Sequence, residues 1–154
     1  MAACSAAPGR EYATPGDLCG AKVSAKALEP LLPPGKKISA QPTSAVGTKR
    51  CRLLVDGNVV FSGSVEKRAP GTPAGDVAAS ALGVEPTDAH TGDGRFVYSK
   101  TGAVGRVECG GSARADSSLW VTVRSTHPAT AADTLKVVKE YADSVGKGGD
   151  CGKR

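Results

Sequence analysis

Cys51-Arg52-Leu53-Leu54-Val55-Asp56-Gly57-Asn58-Val59-Val60-Phe61-Ser62-Gly63-Ser64-Val65-Glu66 is the stretch whose reading decides the fold. Leu53 and Val55, then Val59, Phe61 and Val65, alternate with mostly polar neighbours, which is the pattern of two strands with one buried face. Between the runs, Asp56-Gly57-Asn58 supplies residues that accept positive φ, as a tight hairpin turn requires. The stretch predicts a β-hairpin.

Upstream of it, Val23, Ala27, Leu28, Leu31 and Leu32 recur at helical spacing, and Pro33-Pro34-Gly35 stops that helix. An extended stretch, 36–40, and a loop rich in Pro, Thr, Ser and Gly lead into the hairpin. Downstream, a Pro/Gly loop at 69–76 precedes a short helix over 77–82, with Val77, Ala78, Ala81 and Leu82 on its apolar side. After a polar loop at 85–94, strands are predicted at 95–99, 103–109 and 118–125. A long closing helix is predicted over 128–145. Thr130 is its cap with Asp133 three residues on, Leu135, Val138, Ala142 and Val145 are its buried stripe, and Gly146 ends it. These elements predict an α+β fold: a mostly antiparallel sheet of about five strands with helices packed on one face. The other face is then open to solvent. In the last strand Leu119, Val121 and Val123 should face the helices. Trp120, Thr122 and Arg124 should face outward, sharing the open face with Arg52 and Arg106.

The chain has 154 residues, enough for one domain that buries about two-thirds of its unfolded surface. One Trp, three Tyr and two Phe leave Val, Leu and Ala to fill most of the core. No apolar run is long enough to span a membrane. The net charge of +5 suits a protein working beside anionic lipid or wall polymer. Its densest basic groups, Lys36-Lys37, Lys49-Arg50-x-Arg52 and Lys67-Arg68, are short and have no interleaved aromatics, which argues against a nucleic-acid interface.

Cysteines stand at 4, 19, 51, 109 and 151, with no CxxC pair and no histidine at zinc-ligand spacing. Widely spaced single cysteines in an odd total suit an exported protein with two disulfides and one cysteine left over. Four cysteines allow three connectivities, and the sequence leaves all three open. The repeated layout favours Cys19–Cys51 and Cys109–Cys151. The remaining Cys4 follows Met1-Ala2-Ala3 and precedes a Ser/Ala/Pro/Gly-rich stretch, so residues 1–16 read as a flexible tether and residues 17–154 as the domain. Small residues before a cysteine resemble the lipobox of bacterial lipoproteins, although the charged and apolar parts of a signal peptide do not precede them.

Cys19-Gly20, Leu31-Leu32-Pro33, Arg50-Cys51-Arg52, Arg106-Val107-Glu108-Cys109 and the closing helix before Cys151 together resemble exported lipoproteins of high-GC Gram-positive bacteria (actinobacteria). That group has no assigned activity. The resemblance implies an extracellular, cell-envelope location with a lipid on Cys4 and says nothing of chemistry.

His90, in Asp88-Ala89-His90-Thr91-Gly92-Asp93-Gly94, is the one place where histidine and carboxylates cluster. The stretch lacks calcium-loop spacing and reads as turn residues rather than a metal site. His127 reads as a turn residue before the closing helix. No serine lies in a nucleophile-elbow motif, and Ser112 has only two histidines in the chain as possible partners. No cofactor motif is present. The sequence therefore points to a non-catalytic envelope binding module whose partner is an envelope protein or wall polymer, with Trp120, Thr122, Arg124 and Arg52 as its contact residues. The competing classes are a small secreted hydrolase near His90 or His127, and a protease-inhibitor-like module using loop 69–76.

Overall fold

The computed structural model describes residues 9–109, 118–127 and 129–152. Strands β1 (Asp17–Leu18) and β2 (Ala21–Lys22) form a small ribbon around a turn at Cys19 and Gly20, both at positive φ. Helix α1 (Ala25–Leu28) is capped by the Ser24 hydroxyl, which accepts from the Ala27 amide. It passes at once into a 3-10 turn over Glu29–Leu31. The helix expected over 23–32 is cut short because Pro30 has no amide to donate and its ring crowds the preceding turn.

The main sheet is built from β3 (Ile38–Ala45), β4 (Thr48–Val55), β5 (Asn58–Arg68), β6 (Ala89–His90), β7 (Phe96–Tyr98), β8 (Gly102–Arg106) and β9 (Ser118–Ser125). All neighbours are antiparallel, in the order β3-β4-β5-β9-β8-β7-β6. Asp56 and Gly57 make the tight turn of the β4–β5 hairpin at φ of 51° and 85°, and Val55 pairs with Asn58. The sheet thus has seven strands where about five were expected. β6 has two residues, too few to show a pattern. β3 has no apolar alternation and carries Pro42, which a strand tolerates only at a sheet edge, where the missing amide breaks no ladder.

One face of the sheet carries most of the core. Cys51, Leu53, Phe61, Val65, Ala103, Leu119, Val121 and Val123 pack there against Ala27, Leu28 and Leu31 and against helix α3 (Ala131–Gly146). α3 opens on the expected capping box: the Asp133 amide donates to Thr130 Oγ1 at 3.1 Å, and the Thr130 amide donates to Asp133 Oδ2 at 3.2 Å. Val138, Ala142 and Val145 are buried as predicted, but Val137 and Tyr141 join them and Leu135 is only partly buried. A β-carbon on Gly63 would stand 3.0 Å from the Tyr141 ring, so this glycine lets the ring settle on β5. Gly105 does the same for Phe96, its direct cross-strand partner.

The opposite face is not left open along its whole width, as was expected. Helix α2 (Ala74–Ser80) seats Ala74, Val77 and Ala78 on Val97, Val104 and Trp120. Helices therefore lie on both faces. Beyond α2, Gly83 and Gly102 bring two backbones together: a β-carbon on Gly102 would meet the Leu82 carbonyl oxygen at 2.8 Å. The Ser99 and Thr101 hydroxyls donate to the Gly83 carbonyl at 2.6 and 2.7 Å, fixing the end of the α2 segment to the β7–β8 turn.

Both expected disulfides are present. Cys19–Cys51 ties the β1–β2 turn to β4, and Cys109–Cys151 ties the chain beyond β8 to the C-terminal helix α4 (Gly149–Gly152). Cys4 lies outside the described residues. The later part of the stretch expected as tether is docked on the domain. The Gly35 amide donates to the Gly9 carbonyl, the Glu11 amide donates to the Gly35 carbonyl, and the Arg10 guanidinium donates to the Glu29 and Leu32 carbonyls. Arg10 thus supplies positive charge and donors where the 3-10 turn presents its last carbonyls. No helix among the described residues is long and apolar enough to cross a membrane.

Candidate functional site

On the second face, the strand pleat places Arg52, Ser62 and Arg124 in one cross-strand row through β4, β5 and β9. The adjacent row runs Thr43, Arg50, Ser64, Thr122 and Val104. α2 covers this face from β9 toward β7. Over β3 and β4 the face carries exposed or half-buried residues (Thr43, Arg50 and Arg52), and on β5 Ser62 is half-buried while Ser64 is already buried. The open half is therefore a shelf with α2 standing along one side.

Of the four predicted contact residues, Thr122, Arg124 and Arg52 lie on this shelf, and Trp120 does not. Trp120 is 0% exposed under α2, and its indole N–H donates to Ser118 Oγ at 2.6 Å. The alternation of β9 was read correctly, since Trp120 does point away from Val121. What was misplaced is the boundary of the covered region. Arg50 belongs with Arg52 and was not singled out, although its place two residues earlier on the same strand signals the shared face.

Hydroxyls and one acid organise the border between the shelf and α2. Ser64 donates to Glu66 Oε2 at 2.9 Å, which spends its single proton, so Thr122 donates to Ser64 at 2.5 Å. Arg68 grips Glu66 through Nε and Nη2, at 3.2 and 2.7 Å, and reaches Ser80 of α2 at 2.9 Å. The charge of Glu66 is thereby matched. Arg50, Arg52 and Arg124 have no carboxylate within ion-pair distance among the described residues. Strands stand about 4.8 Å apart and residues two apart on one strand about 7 Å apart. Arg52 and Arg124, one strand between them, are then separated at the backbone by about 10 Å, and Arg50 stands one row along.

A cleft of about 670 Å³ lies on the first face, between the β3–β4 hairpin and the end of α3. Tyr141, Ser144, Lys49, Asp150 and the Cys19–Cys51 bridge line it, and no histidine does. Lys49 Nζ and Asp150 Oδ1 are 2.6 Å apart. Burial, with Asp150 nearby, pushes the Tyr141 phenol well above its ordinary range and keeps it protonated.

The histidines weighed for other chemistry sit in the short strand β6 and in a bend after β9. His90 Nε2 is 2.8 Å from the Pro86 carbonyl oxygen. The Asp93 carboxylate is held below the usual range by the Thr91 hydroxyl at 2.6 Å and by the Arg95 amide at 3.0 Å, as in a turn that caps itself. His127 has its amide and carbonyl on the Ser125 hydroxyl. Among the described residues no three His, Cys, Asp or Glu side chains gather in a metal-ligand set. Loop 69–76 ends inside α2, where Ala74 is already buried. Ser112 lies outside the described residues. Comparison of the chain with protein-family models, curated proteins and solved structures finds no match.

Proposed function

We propose that the chain is an exported, non-catalytic binding module of the bacterial cell envelope, carried on the outer face of the cytoplasmic membrane by a lipid on Cys4. The observation that carries the binding reading is the shelf. Three arginines without an acidic partner among the described residues stand on a sheet whose other face is a filled core, so the side chains have a rigid base. Arginine is among the side chains most enriched at binding hot spots, because its planar fork makes several directed hydrogen bonds from one group. The compartment reading rests on two structural disulfides, which suit an oxidising environment, and on the residues around Cys4.

Affinity capture from an envelope extract of a high-GC Gram-positive bacterium tests the binding reading. The wild-type domain should retain a partner that the Arg52→Gln/Arg124→Gln variant releases, with both proteins melting at the same temperature. Equal capture by the two removes the shelf from consideration. Mass spectrometry of Cys4 in protein expressed behind a lipoprotein signal tests the anchor: a diacylglyceryl adduct is expected, and an unmodified thiol contradicts it.

A further inference from the structure

We infer that the shelf binds the phosphate groups of a linear, phosphodiester-type polyanion. This rests on the binding reading above and names the chemistry of the partner.

Three features select it. The first is the residue type. Arg50, Arg52 and Arg124 present flat guanidinium forks, which match phosphate oxygens two at a time, whereas the lysines of this chain are point charges. The second is the spacing. Arg52 and Arg124 flank Ser62 in one row and can close on a single phosphate above it, while Arg50, about 7 Å along its strand, addresses a neighbouring charge. A ligand using all three needs anionic groups in series. The third is the step made by α2. A helix with its side chains is about 10 Å thick, more than an arginine side chain reaches from the sheet. A flat bilayer resting on α2 would be held away from the arginines, whereas a chain can lie on the shelf along the helix. Thr122 and Ser64 have committed their protons within the border network, so the guanidinium groups, with the Ser62 hydroxyl between Arg52 and Arg124, are the donors that face the ligand.

The measurement is a titration of the full, disulfide-bonded chain with linear inorganic polyphosphate, repeated at several salt concentrations. Poly-glutamate of equal charge and vesicles containing phosphatidylglycerol serve as comparison probes. Three phosphate contacts should give a slope of log K against log salt of about −2, using the single-strand coefficient. Arg50→Gln/Arg52→Gln/Arg124→Gln should weaken polyphosphate binding at least about tenfold and flatten that slope, while Lys36→Gln/Lys37→Gln, away from the shelf, should change it little. Equal polyphosphate binding by wild type and the triple variant overturns the inference. So does a preference for poly-glutamate or for vesicles. If the triple variant binds polyphosphate like wild type yet loses its envelope partner, the phosphate assignment falls and the shelf survives as a binding surface. If both are unchanged, both readings fall.

Discussion

The second face of the sheet is continuous through β4, β5, β9, β8 and β7, yet its two halves are put to opposite uses. From β9 onward its residues are Trp120, Val104 and Val97, and a seven-residue helix is enough to bury them. Toward β3 they are Arg124, Ser62, Arg52, Thr43 and Arg50, and no helix among the described residues packs on them. The difference teaches that a strand's alternation assigns a face, while the neighbours across the sheet decide whether that face is dry. Trp120 and Arg124 are four residues apart on one strand and on one side of it; Val104, opposite Thr122 between them, clusters with Trp120 beneath α2, and Arg124 stays exposed.

Reduction of the disulfides should have the largest effect, and it bears on both halves. The Cys19–Cys51 bridge ties β4, next to the edge of the sheet, to the small ribbon. Bridges spanning 32 and 42 residues are worth about 4 kcal/mol each by loop-closure entropy, against about 5–15 kcal/mol for a whole domain. Melting in reductant should therefore fall far below that of the oxidised protein; a loss of a degree or two would mean that packing alone holds the open half. Next comes the covered half. Trp120→Ala should cost about 3–5 kcal/mol in urea unfolding, the range for deleting a buried aromatic. A cost below about 1 kcal/mol would show that α2 is not a core element.

Much of this was legible beforehand, and the failures have physical causes. The β4–β5 hairpin, β9 and the capping box of α3 were readable because turn chemistry, alternation and caps are local signals. β3 was legible only at its start, where residues 36–40 read as extended, because the rest of an edge strand exposed on both faces has no apolar period and Pro42 reads as loop. The cover over Trp120 was missed because α2 is short and alanine-rich. Its contribution arises from Val97 and Val104, which lie in strands that pair only in three dimensions. The arginine shelf was half visible: Arg52 and Arg124 were assigned to one face from alternation, whereas their alignment across Ser62 depends on hairpin register.

A smaller effect concerns the turn that sets that register. The Lys36 and Lys37 amides donate to the Asp56 carboxylate, and these bonds hold its pKa below the usual carboxylate range. A depressed pKa contributes stability that is present above the unfolded value and lost as pH falls through the folded one. The melting temperature of wild type should therefore exceed that of Asp56→Asn near neutral pH, and the gap should start to narrow as the pH falls below about 3.8 and close only below the lowered folded-state value. A gap that persists at lower pH would assign the effect to turn geometry instead. Smallest of all, Arg50→Gln/Arg52→Gln/Arg124→Gln should shift unfolding free energy by no more than about 0.5 kcal/mol, as expected for exposed or half-buried side chains with no ion pair among the described residues. A larger loss would make the shelf a structural element.

The division of the face rests on where its one tryptophan sits, and because the chain contains a single Trp, fluorescence reads that position without labels. Acrylamide quenching of the folded protein should be slow and should rise to the unfolded rate only through the cooperative urea transition, as for an indole sealed beneath α2. Quenching of the folded protein at the rate of free indole would place Trp120 on an open surface and contradict the account.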